Sequence, residues 1–203
     1  MVPPEPSPSP AGRPLRVATV SLAGCFGCHM SLLDIDERLF TLAGHVQLDR
    51  SPLTDIKRCG PCDVGLIEGG LCNAENVEVL RAFSASKADW SLAEFRAHCK
   101  VLVAVGACAI NGGLPALRNG LDVGTLMTEV YANNRPGLAP GSAIPNDPEL
   151  PLPLARVHPL HEVVHIDHFL PGCPPSAEVI WDFLHAVVQG HIPQADPALI
   201  RYD

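Results

Sequence analysis

The sequence predicts an open, mostly parallel α/β sheet with helices on both faces. Three observations carry that expectation. Runs of β-branched and apolar residues alternate with stretches of helical period along the chain, the pattern of strand–helix units that stack into a parallel sheet. The run "KVLVAVGAC" (100–108) is apolar almost without interruption, as a strand buried on both faces must be. No internal repeat competes with this reading.

The elements follow in order. "RVATVSLA" (16–23) is a β-branched first strand, followed by a loop carrying Cys25 and Cys28. "MSLLDIDERLFTLAG" (30–44) repeats apolar residues at Leu32, Ile35, Leu39 and Leu42 and stops at Gly44, which predicts one helix. "HVQLD" (45–49) reads as a short second strand and "DVGLIEGG" (63–70) as a strand ending in glycines; a helix is expected over about 74–87. Ser91 with Glu94 spells a capping box ahead of the central strand. A further strand is expected near 163–166. The last helix carries Val179, Ile180, Phe183, Leu184, Val187 and Val188 on one face and ends at Gly190. This alternation is of the flavodoxin-like kind.

Composition bounds the rest. At 203 residues and 47% hydrophobic content, the chain can build one core, so 15–203 reads as a single domain. Residues 1–14 hold six prolines, with neither an apolar core nor paired arginines, and read as a disordered tail and not a targeting signal. No run reaches the roughly 18 apolar residues of a membrane span, which points to a soluble, cytoplasmic protein. A net charge of −8 argues against nucleic acid as a partner. The segment 133–161 carries seven prolines and no clear period, and reads either as a surface segment that orders on a partner or as a solvated loop.

Eight cysteines, at 25, 28, 59, 62, 72, 99, 108 and 173, exceed the packing needs of such a domain. The chain is too long and apolar for a disulfide scaffold, so metal or redox chemistry is indicated. Ligands of parallel sheets gather beyond the carboxyl ends of the strands. Cys25, Cys28, Cys72, Cys108 and Cys173 follow strands and belong to that edge; Cys59, Cys62 and Cys99 precede strands and belong to the opposite one. Gly24, Gly27, Gly106 and Gly172 adjoin the first group, and Pro174 and Pro175 follow Cys173. Glycine lets backbone N–H groups approach a bulky anion such as a four-thiolate [4Fe-4S] cubane. Zinc also takes four thiolates, but its structural sites pair cysteines closely, whereas here one pair joins two distant singles.

"GCFGC", "EGG" (68–70), "GACAINGG" (106–113) and "LPGCPP" (170–175), in this order, resemble the small subunit of [NiFe] hydrogenases, and the length and tail resemble the cytoplasmic NAD-reducing soluble members. The resemblance spans about 16–190. It implies one [4Fe-4S] cluster held by Cys25, Cys28, Cys108 and Cys173, with Cys72 a small buried residue outside the ligand set. It implies as partners a large subunit carrying the NiFe centre, where hydrogen is split, and diaphorase iron–sulfur and flavin subunits carrying FMN and using NAD. The chain would then be an electron relay with no catalytic residue of its own; Glu68 is a candidate for proton transfer or for a capping role.

Other readings are weighed on particular residues. His29 reads as a hydrogen-bonded structural histidine, and His158, His161, His165 and His168 as surface or interface residues. "CGPC" (59–62) is spelled like a thiol–disulfide oxidoreductase centre, but it precedes a strand where that fold would have it follow one. The cluster subunit of respiratory NADH:quinone reductase is the nearest alternative; its pattern has adjacent cysteines, whereas Phe26 and Gly27 separate Cys25 from Cys28. A flavin-binding module is disfavoured by cysteines occupying the first loop, and neither G-x-G-x-x-G nor a P-loop occurs.

Overall fold

A computed structural model describes residues 13–56, 60–76, 99–133, 144–147, 149–191, 193 and 198. Its centre is a five-stranded parallel sheet. In chain order the strands are β1 (Leu15–Ser21), β2 (Val46–Leu48), β3 (Cys62–Glu68), β5 (Cys99–Val105) and β7 (His168–Leu170). They lie side by side as β2-β1-β3-β5-β7, all pairs parallel. Counted within this sheet, the order is 2-1-3-4-5, the flavodoxin-like doubly wound arrangement. The two short strands β4 (Leu71–Asn73) and β6 (Pro153–His158) form a separate antiparallel ribbon.

Five α-helices are described over their full length: α1 (Gly27–Leu33), α2 (Arg38–Ala43), α3 (Gly106–Asn111), α4 (Val123–Met127) and α5 (Ala177–Val188). Alternation along the strands divides the core. Val17, Val64, Leu66, Val103 and Val105 pack with Leu32 of α1 and with Ile180, Phe183 and Leu184 of α5. Ala18, Val20, Ile67, Leu102 and Ala104 pack on the other side with Ala109, Leu160 and Ile166. β3 is buried throughout, as the centre of a parallel sheet requires. Ser176 caps α5 by accepting the Val179 N–H, and the helix buries the face expected of it, Val187 alone being half-buried.

Four local expectations need correction. The single helix over 30–44 is two, α1 and α2, interrupted at Asp36, which has φ +53. Asp34 and Asp36 compete with helical hydrogen bonding, and aspartate tolerates the left-handed region. The last strand lies at His168–Leu170 and not near 163–166. A 3-10 turn, Leu160–Glu162, precedes that stretch, and pairing with β5 begins only where Asp167 accepts the Leu102 N–H. Cys108 sits on α3, because the left-handed Gly106 ends the strand two residues earlier. Within the proline-rich stretch, β6 forms against β4 with Pro153 at its first position, where a missing N–H is tolerated. The helix expected over 74–87 begins at residues 74–76; its remainder and the Ser91–Glu94 capping pattern lie outside the described residues.

Candidate metal centre

The loops after β1, β5 and β7 carry Cys25 and Cys28, Cys108, and Cys173 to the carboxyl edge of the sheet. Cys28 lies in the first turn of α1, and Cys108 within α3. Backbone and side-chain bonds tie the loops together. Ala107 N–H donates to the Gly172 carbonyl at 2.8 Å, and Ser31 Oγ donates to the Pro175 carbonyl. All four sulfurs are free thiols; Cys25 and Cys173 are exposed, Cys28 and Cys108 half-buried. Gly27 N–H points at Cys25 Sγ, 3.4 Å away.

Two glycines make the close approach possible. Gly106 has φ +81, and a Cβ there would collide with Cys28 Sγ; Gly113 has φ +49, and its Cβ would lie 2.9 Å from Cys108 Sγ. Only glycine combines that backbone with that space.

The thiols influence one another electrostatically. Burial pushes the Cys28 thiol upward, and Glu68, Cys108 and Cys25 push in the same direction. Burial likewise raises Cys108, with Cys173 and Cys25 adding to it. Four thiolates crowded in this way favour a cationic metal, which reverses the local penalty on their charge. Among the described residues no three His, Cys, Asp or Glu side chains come close enough to share one ion; a cubane needs one thiolate at each of its four irons. Free cysteines from three tied loops and a glycine-lined cradle fit such a group.

Glu68 ends β3 beneath these loops and is 3% exposed. It accepts Ser21 Oγ–H at 2.7 Å and the His29 N–H at 3.0 Å. Phe26, the residue before α1, offers no side-chain cap, so Glu68 caps the helix from across the sheet. Burial pushes this carboxyl upward, but hydrogen bonds from His29 and Ser21 outweigh it and hold the group below its ordinary value. His29 is buried, with Nε2 2.8 Å from Thr19 Oγ1. Sequence reasoning did not single out Thr19, Ser21 or Ser51; the available signal was two hydroxyls in the apolar second half of β1, after Arg16.

The other cysteines are elsewhere. Cys72 is half-buried in β4, more exposed than expected. Cys62 and Cys99 open β3 and β5 at the opposite edge, are register partners with Cα atoms 4.7 Å apart, and are joined as a disulfide. Cys59 lies outside the described residues, so within them the partner of Cys62 is Cys99. His158 pairs with Glu162 at 2.6 Å on the surface, and His165 is 77% exposed near Asp167. No described helix is long and apolar enough to cross a membrane.

Comparison with known proteins shows the family. The profile of the family described as NADH ubiquinone oxidoreductase, 20 Kd subunit, matches residues 25–187. The NAD-reducing hydrogenase HoxS subunit delta of Cupriavidus necator is 40% identical over 93% of this chain and 86% of its own length. A subunit of the F420-non-reducing hydrogenase of Methanothermobacter marburgensis is 33% identical over 87% of this chain, which spans about half (54%) of that protein. A chain in the crystal structure of an NAD+-reducing [NiFe]-hydrogenase in the H2-reduced state superposes with a TM-score of 0.82 at 59% identity, covering 94% of this chain and 100% of that one. The chain belongs to the NADH ubiquinone oxidoreductase 20 Kd subunit family, and within it to the small subunits of NAD-reducing [NiFe] hydrogenases.

Proposed function

We propose that this chain relays electrons from hydrogen oxidation in a large subunit toward an NAD-reducing diaphorase module. The observation that carries the reading is the gathering of four free cysteines from three tied loops at the carboxyl edge of the sheet. Cys25, Cys28, Cys108 and Cys173 would hold one [4Fe-4S] cluster, which supplies one-electron acceptance and release when bound. The chain's own residues shape and orient that site: Gly106 and Gly113 leave room at the sulfurs, and Glu68 fixes the first turn of α1. The NiFe centre, FMN and NAD belong to partner subunits in this reading. Leu114 and Leu117 adjoin the Cys108 loop and are 72% and 75% exposed, apolar surface that a large subunit would cover.

The test is iron stoichiometry in the purified complex. Cys108→Ser is expected to lose the iron of this chain and its reduced-cluster signal, whereas Cys72→Ser retains both. Equal loss from the two variants would refute the assignment of ligands.

A further inference from the structure

We propose that Thr19 and Ser51 are positioning residues of the cluster site, acting through His29 on the loop that carries Cys25 and Cys28. The inference rests on the cluster reading above and assigns roles to side chains that reading does not use.

Four polar residues form a connected chain inside the apolar core between the sheet and α1. Thr19, His29, Ser51 and Glu68 are 1%, 4%, 3% and 3% exposed. Glu68 Oε2 accepts the His29 N–H at 3.0 Å, His29 Nε2 meets Thr19 Oγ1 at 2.8 Å, and Thr19 Oγ1 meets Ser51 Oγ at 2.6 Å. Ser51 is fixed in turn, because its Oγ accepts the Leu53 N–H at 3.1 Å. The chain thus runs from the segment after β2, through β1, to the first turn of α1.

His29 is the hub. Its ring stacks on Phe26 with centroids 4.6 Å apart and planes 4° from parallel. Phe26 lies between Cys25 and Cys28 and holds φ 66, a backbone state that needs support from its surroundings. The stack provides support on one side, and the Thr19–Ser51 pair fixes the ring that provides it. Outer partners that orient ligand-bearing elements tune a metal site; losing one typically costs about 10–100-fold in metal affinity or activity. Removing the Thr19 hydroxyl would leave His29 Nε2 and Ser51 Oγ buried without their present partner, so the ring and the Phe26 loop would shift together.

Thr19→Val keeps the shape of the side chain and removes the hydroxyl; Thr19→Ser keeps the hydroxyl and removes a methyl group. In the intact complex, Thr19→Val is expected to show a shifted or broadened reduced-cluster electron paramagnetic resonance spectrum, an altered midpoint potential, and about tenfold slower hydrogen-driven NAD reduction. Ser51→Ala should move the spectrum in the same direction by less, and Thr19→Ser should restore the wild-type spectrum. A Thr19→Val spectrum and potential superimposable on wild type would overturn the proposal, as would Thr19→Ser changing as much as Thr19→Val. If Thr19→Val does not assemble, Ser51→Ala decides the matter by the same spectrum. A wild-type complex lacking the cluster spectrum would instead overturn the cluster reading itself, and this proposal with it.

Discussion

Asp63 fastens the end of the sheet opposite the cysteine loops, and it does so with one carboxylate. It accepts two hydrogen bonds from Arg13, one from the Arg16 N–H and one from Lys100, all at 2.9 Å. One side chain of β3 thereby joins β1 and β5. Burial pushes its carboxyl upward, but the bonds from Arg13, Lys100 and Arg16 outweigh that and hold its pKa at about 2. A group depressed on folding contributes stability above its unfolded value, near 4, and loses it as pH falls through the folded value. Asp63→Asn should therefore lower the thermal midpoint at neutral pH, and the gap from wild type should close as pH falls from about 4 toward 2. Arg13 and Lys100 side chains are 47% and 72% exposed, so salt should narrow the same gap. A gap independent of pH would mean that shape and not charge carries the contribution.

At the scale of elements, the turn from β5 into α3 sets the position of Cys108 and makes room for Cys28. Gly106→Ala places a Cβ on a left-handed backbone against Cys28 Sγ, whereas a Cβ at Gly120 would meet nothing within 4 Å. The strain alone is on the order of 1–3 kcal/mol. Gly106→Ala should reduce iron per chain in the purified complex, with Gly120→Ala unchanged; equal iron in both would show that the turn can yield. That Cys108 lies beyond the end of β5 was legible in the sequence, because it follows the apolar run "KVLVAV", and the order of the cysteine loops was legible for the same reason. That Cys108 sits on a helix was not, because "GAC" continues the apolar run. The break at Asp36 was not, because the apolar period of Leu32, Ile35, Leu39 and Leu42 continues across it and local aspartate chemistry decides. β6 was hidden because its pairing with β4 is long-range, and the prolines mask its alternation. The Cys62–Cys99 neighbourhood depends on sheet register, which no spacing along the chain encodes. The Thr19–His29–Ser51 chain joins residues up to 32 apart in sequence, and only the β1 hydroxyls hinted at it.

The whole molecule separates two tasks at the two ends of one sheet. Ion pairs and the Cys62–Cys99 bond hold the amino end, while free thiols, glycines and exposed leucines occupy the carboxyl end. In the relay reading such a division suits a subunit whose chemistry lies at an interface, because the scaffold would be fixed at a distance from the site that meets its partners. The relay reading then makes a prediction about the assembly. In a complex carrying Cys28→Ser with full subunit content, hydrogen-driven NAD reduction should fall to a small fraction of wild type. NADH-driven dye reduction should persist, because that half-reaction does not need this chain's site. Subunit content is the necessary control, since metal loss can also dissociate an assembly whose folding is coupled to it. If an intact complex without this cluster reduced NAD with hydrogen at the normal rate, electrons would have another path, and the chain's role would be to hold the assembly together.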